Sequence, residues 1–150
     1  MARSLLVIAL AGALLADSAA AEVFKKEDLL RGITITRAQC EAIYRADYWD
    51  PLRCDALNPG VSFVLFNDAV LSGVDAAVRL LQRSIGAAED GVVGPQTLRM
   101  ANAMPAAQLI DRLTVADEKH LASLRNAPMF IRGWDRRELA CQAEALTLVA

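Results

Sequence analysis

The chain has 150 residues, with 16 basic and 18 acidic side chains and a formal net charge of −2. That length suits one domain, and the near-neutral balance, with a pI of about 5.4, excludes a strongly basic nucleic-acid binder and an acidic disordered tail. Hydrophobic residues make up 55% but are unevenly spread: 16 of the first 21 residues are apolar, and the remainder has the composition of an ordinary globular chain.

Arg3 and the terminal amine precede an unbroken apolar run, Leu5 to Ala16. Asp17 and Ser18 end it, and Ala19-Ala20-Ala21 offers the small side chains a signal peptidase needs. This is the three-part plan of a secretory signal, cleaved after Ala21; an uncleaved anchor or a buried core helix is the alternative. The run is too short for the roughly 20 residues that span a bilayer. Export, to the periplasm or outside the cell, would bring Cys40, Cys54 and Cys141 into an oxidising space. Three cysteines allow at most one internal bridge. Cys54 with Cys141 and Cys40 with Cys54 are both open. No pair has a metal-ligand spacing, and His120 alone cannot complete a zinc site, so neither metal nor cofactor is expected.

Beyond a mixed charged segment over residues 22–34, residues 35–150 read as an all-α domain of about six helices. Thr36 and Gln39 form a capping box opening a helix from about Arg37 to Asp47. Asn58-Pro59-Gly60 starts a second helix, Val61 to Ser72, which is apolar nearly all round and so belongs at the centre of the fold, with Gly73 as a left-handed cap. Asp75 to Ile85 follows, capped by Gly86. Gly94-Pro95 opens a short helix, Gln96 to Ala103. Pro105 opens what should be the longest helix, with Leu109, Ile110, Leu113, His120, Leu121 and Leu124 in one stripe, His120 reading as a core histidine. Asn126 to Gly133 reads as a loop, and Trp134 to Leu148 as a last helix with Leu139, Ala143 and Leu146 inward.

Several segments then stand in a telling order: Tyr44-Arg45-Ala46-Asp47-Tyr48-Trp49-Asp50-Pro51, Leu57-Asn58-Pro59-Gly60-Val61, Phe66-Asn67-Asp68-Ala69-Val70-Leu71-Ser72-Gly73, Leu81-Gln82-Arg83-Ser84-Ile85-Gly86, Asp90-Gly91-Val92-Val93-Gly94-Pro95-Gln96-Thr97-Leu98 and Phe130-Ile131-Arg132-Gly133-Trp134-Asp135-Arg136-Arg137. From about Ile35 to Leu146 the chain resembles the C-terminal part of the glycoside hydrolase family 108 muramidases, including the segment known as the predicted peptidoglycan-binding domain. The resemblance implies a lysozyme-like helical body and peptidoglycan as partner. It also exposes departures. The family's Glu-Gly-Gly-aromatic motif, which carries its proposed catalytic acid, occurs nowhere in these 150 residues. The family's Phe-Asp-x-Ala-Val-Asn-Ser-Gly has Asn67 in place of its Asp and Leu71 in place of its Asn. Asp68 lies one step along, about 100° around a helix.

Glycosidic cleavage needs a proton donor of raised pKa and usually a second carboxylate. Glu27 and Glu41 are the weak candidates, and Glu41 reads more readily as a solvated partner of Arg37 and Arg45. The residues therefore favour an exported peptidoglycan binder derived from a muramidase scaffold, without hydrolase activity. The rivals are a small muramidase with an unrecognised acid and an envelope or prophage-derived interaction protein. Binding sugar needs aromatic faces and polar groups. Tyr48, Trp49 and Trp134 are the candidate platforms, and Asp68, Asp90, Thr97 and Arg136 the polar candidates; Arg53, Arg132 and Arg137 could also meet wall carboxylates or phosphates. Each aromatic also reads as a core anchor, and the Asp90–Thr97 stretch as a turn and helix start. Neither nucleic acid nor stable membrane insertion after signal cleavage is expected.

Overall fold

The computed structural model describes residues 23–24, 35–123 and 127–149. The expected signal segment, residues 1–21, lies outside them, as do Glu27 and Leu124. Val23–Phe24 (β1) and Ile35–Thr36 (β2) form a minimal antiparallel ladder, Val23 opposite Thr36 and Phe24 opposite Ile35. The remaining architecture is helical: Arg37–Tyr44 (α1), Pro59–Ser72 (α2), Val74–Ile85 (α3), Pro95–Ala103 (α4), Ala106–Ser123 (α5) and Ala127–Thr147 (α6). The all-α reading with six helices holds. No helix among the described residues is long and apolar enough to cross a membrane.

The capping box at α1 forms: Thr36 Oγ1 accepts from the Gln39 N–H at 3.2 Å, and Gln39 Oε1 accepts from the Thr36 N–H at 2.9 Å. The helix does not run regularly to Asp47. It widens into a π turn over Arg45–Trp49, closed by the Asp50 N–H on the Arg45 carbonyl at 2.9 Å. The wider turn brings Trp49 against Phe66 of α2, ring centroids 5.7 Å apart. It also lets the indole N–H donate to Asp55 Oδ1 at 2.8 Å, and Arg45 holds the same carboxylate.

Helix α2 is central, as its lack of a polar face requires. Every residue from Gly60 to Ala69 is buried, and α3, α5 and α6 pack around it. Asn58 caps it by accepting from the Gly60 N–H at 3.1 Å, with Pro59 where no N–H is needed. Gly73 is not the left-handed cap expected: its φ of 94° and ψ of 155° form a one-residue hinge straight into α3, whereas Gly86, at 72° and 27°, is the left-handed cap.

Helix α6 departs most from expectation. The segment read as a loop, residues 126–133, is helical from Ala127 onward. Pro128 falls in the first turn, where a missing N–H loses no intrahelical bond, and Gly133 faces open space. At 21 residues α6, not the 18-residue α5, is the longest helix. Its inward face is also rotated: Glu138, Cys141 and Ala145 are buried, while Leu139 is 57% exposed and Ala143 is exposed. On α5 the apolar residues Leu109, Ile110, Leu113 and Leu121 are buried, but His120 is exposed. Neither candidate disulfide forms, because Cys54 and Cys141 are both free thiols in the core. Burial pushes both thiols up, which keeps them protonated and unreactive.

One close approach locks α6 to α2. A Cβ on Gly60 would stand against the Ala145 carbonyl, 2.7 Å from Val149 Cγ1 and 2.9 Å from Ile110 Cδ1. Backbone on one side leaves no soft direction in which to relax. Gly60→Ala should therefore cost about 1–3 kcal/mol of overpacking strain, read as a lower urea midpoint with an unchanged slope.

Candidate functional site

The densest chemistry lies beneath the C-terminal half of α2. Asp68 emerges there 2% exposed, facing Asp117 of α5 (4%) and Glu138 of α6 (1%). The three carboxylates each place an oxygen within 4.8 Å of the others. Arg137 reaches in with 10% of its side chain exposed, binding Glu138 and standing 3.9 Å from Asp117 Oδ2. Burial raises all three carboxyls above their ordinary range. The charges of Asp117 and Glu138 push Asp68 further, and Arg137 opposes the shift at every member. Asp68 and Asp117 also line a cleft of about 240 Å³ whose walls include Ser72, Asp75, Arg79 and His120.

The cleft shares Arg83 and His120 with a larger, open groove of about 740 Å³ along α5. Arg112, Lys119 and Gln108 supply its polar wall, and Val115 and Ala116 part of its floor. Arg112 is fixed across the groove by donating to the Ser84 carbonyl at 3.1 Å.

The sequence-derived residues fall into separate places. Trp49 cannot be a platform: it is 1% exposed, filled in by the π turn and Phe66. Tyr48 is half-buried, stacked on Tyr44 at 5.6 Å. Trp134 is half-buried on α6, and Arg136 is exposed. Arg137, considered for wall carboxylates, is spent inside the protein on Glu138. Glu41 takes its bland reading, Arg37 Nε lying 2.6 Å from its Oε1. Asp90 and Thr97 do meet, around Gln82 of α3. The Gln82 amide donates to Asp90 Oδ1 at 2.6 Å and to the Val92 carbonyl at 3.0 Å, and its oxygen accepts from the Gly91 N–H at 3.0 Å. Thr97 is buried and bonds back to the Val92 carbonyl at 3.4 Å. Bonds from Gln82 and the Val92 N–H hold the Asp90 carboxyl below its ordinary range. The Asp90–Thr97 stretch is thus a turn locked by one buried glutamine.

Sequence reasoning did not single out Asp117 and Glu138. A signal was present: Asp117 falls on the Ile110–Leu113–Leu121 stripe, and Glu138 lies on one face with Trp134, Cys141 and Ala145. Each is a charge where the helical period demands an apolar side chain.

Comparison with known proteins places this fold. The family model for glycosyl hydrolase 108 matches residues 14–73, and one described as "Predicted Peptidoglycan domain" matches residues 76–139. The structure of Brucella abortus SagA is similar, with 30% identity and a TM-score of 0.75, over 84% of this chain and 71% of that one. The chain belongs to the glycosyl hydrolase 108 family. No curated protein matches it. Its two family segments meet at the α2–α3 hinge around Gly73, and the associated function is with peptidoglycan. In this family member the acidic cluster straddles both segments, Asp68 from the first and Asp117 and Glu138 from the second.

The cluster has a measurable signature. Its carboxyls hold protons that the unfolded chain, with ordinary values of 3.8 for Asp and 4.5 for Glu, has already released. Stability from this source is complete below about pH 4 and is lost as pH rises through the raised folded values. In chelating buffer the melting temperature should fall across that range, and Asp68→Asn should flatten the fall, melting several degrees above wild type near pH 8 and converging with it near pH 4. A difference between the two proteins that is independent of pH would contradict this.

Proposed function

We propose that the protein is exported and holds peptidoglycan without cutting it. The observation carrying this reading is the basic groove along α5. All the residues lining it fall between Arg83 and Ser123, inside the stretch that matches the peptidoglycan domain. Arg112 and Lys119 set two positive charges against Asp111 in its walls, Arg83 being ion-paired to Glu89 at 2.7 Å. Peptidoglycan offers what such a groove recognises: stem-peptide carboxylates for the guanidinium and ammonium groups, and sugar and alanyl methyl surfaces for Val115 and Ala116. The half-buried Tyr48 and Trp134 and the exposed Arg136 are the remaining sequence candidates for glycan contact.

The reading without cleavage rests on chemistry. The family's Glu-Gly-Gly motif is missing from the sequence, Glu41 is neutralised by Arg37, and the raised carboxyls are enclosed. Export rests on the N-terminal three-part signal plan and on peptidoglycan lying beyond the cytoplasmic membrane.

The purified mature protein should pellet with insoluble sacculi and leave their turbidity unchanged. Arg112→Gln and Lys119→Gln should each weaken binding about tenfold, and salt at about 0.5 M should weaken the wild type as well. Clearing of the suspension would restore the hydrolase reading, and failure to pellet at moderate salt would point to a protein partner instead.

A further inference from the structure

The sequence carries no cysteine or histidine spacing for a metal, but the fold gathers oxygens that no spacing reveals. Asp68, Asp117 and Glu138 come from three different helices and bring carboxylate oxygens within 4.8 Å of one another, all buried. Arg137 answers them with a single positive charge, and both of its bonds to Glu138 go to Oε1. Without a cation, Asp117 and Glu138 share a proton; ionised around a bound cation, the three carboxylates against one guanidinium would leave two negative charges, the complement of one divalent ion.

A second observation is independent of that count. Both Asp68 oxygens are buried outside good hydrogen-bond geometry, and one of them lies within 4.8 Å of carboxylate oxygens of Asp117 and Glu138. The neighbouring Asn67 amide favours the ionised Asp68 carboxylate, but both of its polar atoms are likewise buried outside good hydrogen-bond geometry. Buried polar atoms in proteins are nearly always satisfied, and here four neighbouring ones are not. Asp68 also stands one turn from the C-terminus of α2, the negative end of the helix dipole, which favours a cation there. The cleft of about 240 Å³ that Asp68 and Asp117 line gives a route from solvent.

We propose that Asp68, Asp117 and Glu138 hold one calcium ion, with water from the cleft completing its shell. The donors are oxygens alone, which selects a hard cation. Calcium accepts irregular carboxylate cages at about 2.3–2.6 Å, whereas magnesium demands a near-ideal octahedron and gives up its water reluctantly. The ion pins α2, α5 and α6 together at one point and is structural, since the cluster is closed to polymer. This assignment is independent of the peptidoglycan reading.

The test uses the full mature chain stripped with chelator at neutral pH. Calcium at about 1 mM should raise the melting temperature by about 5–10 °C, and calorimetric titration should give a stoichiometry near one. Magnesium should give a smaller rise and sodium none. Asp68→Asn and, as a second variant, Asp117→Asn should abolish the calcium response, while Glu144→Gln, on the exposed side of α6, should keep it. Absence of a calcium-dependent rise in the wild type would overturn the site, and so would a response that persists unchanged in both cluster variants.

Discussion

A helix with no polar side has to be enclosed, and that constraint organises this protein. From Gly60 to Ala69 α2 presents buried residues in every direction, so α3, α5 and α6 exist in their observed places because they are its walls. Burying a side chain such as Phe63 or Leu65 contributes about 1.5–3 kcal/mol each, and that gain offsets what the helix does next. At Asn67 and Asp68 it carries polar groups into the same dry interior, and the walls respond with Asp117, Glu138 and Arg137.

Much of this was legible in the sequence, and the reason is local. Capping boxes, helix-start prolines and the all-round apolar run act over a few residues, so Thr36, Asn58 and α2 follow from pattern alone. The Asp90–Thr97 stretch was readable as turn chemistry, with Gln82 as the unrecognised organiser. What escaped the pattern was set by partners far away along the chain. The inward face of α6 is set by its packing on α2 and α5, which puts Glu138, Cys141 and Ala145 inside and leaves Leu139 in water. Trp49 looked like a sugar platform because its flanking Tyr48, Asp50 and Pro51 suggest a corner. The π turn that hides it depends on Phe66 and Asp55. The acidic cluster was invisible for the same reason: its members are separated by long stretches of chain and meet only when three helices pack.

The departure from the family's Phe-Asp-x-Ala-Val-Asn-Ser-Gly pattern also gains a physical meaning. An acid at position 68 lies about 100° around α2 from position 67 and faces α5 and α6, while Asn67 is itself buried. The groove along α5 then becomes the surface on which charge meets solvent, with Arg112 and Lys119 in its wall.

The bare backbone of Gly60 has a temporal consequence. The surface that α2 offers there is completed by Ala145 and Val149, which follow it far along the chain. Until α6 arrives, the central helix has one wall missing, and its apolar flank is open to whatever it meets. Such a chain finishes folding by long-range closure, which is slow compared with helix formation. The interval before closure is when an incompletely folded copy of this protein exposes the most apolar surface.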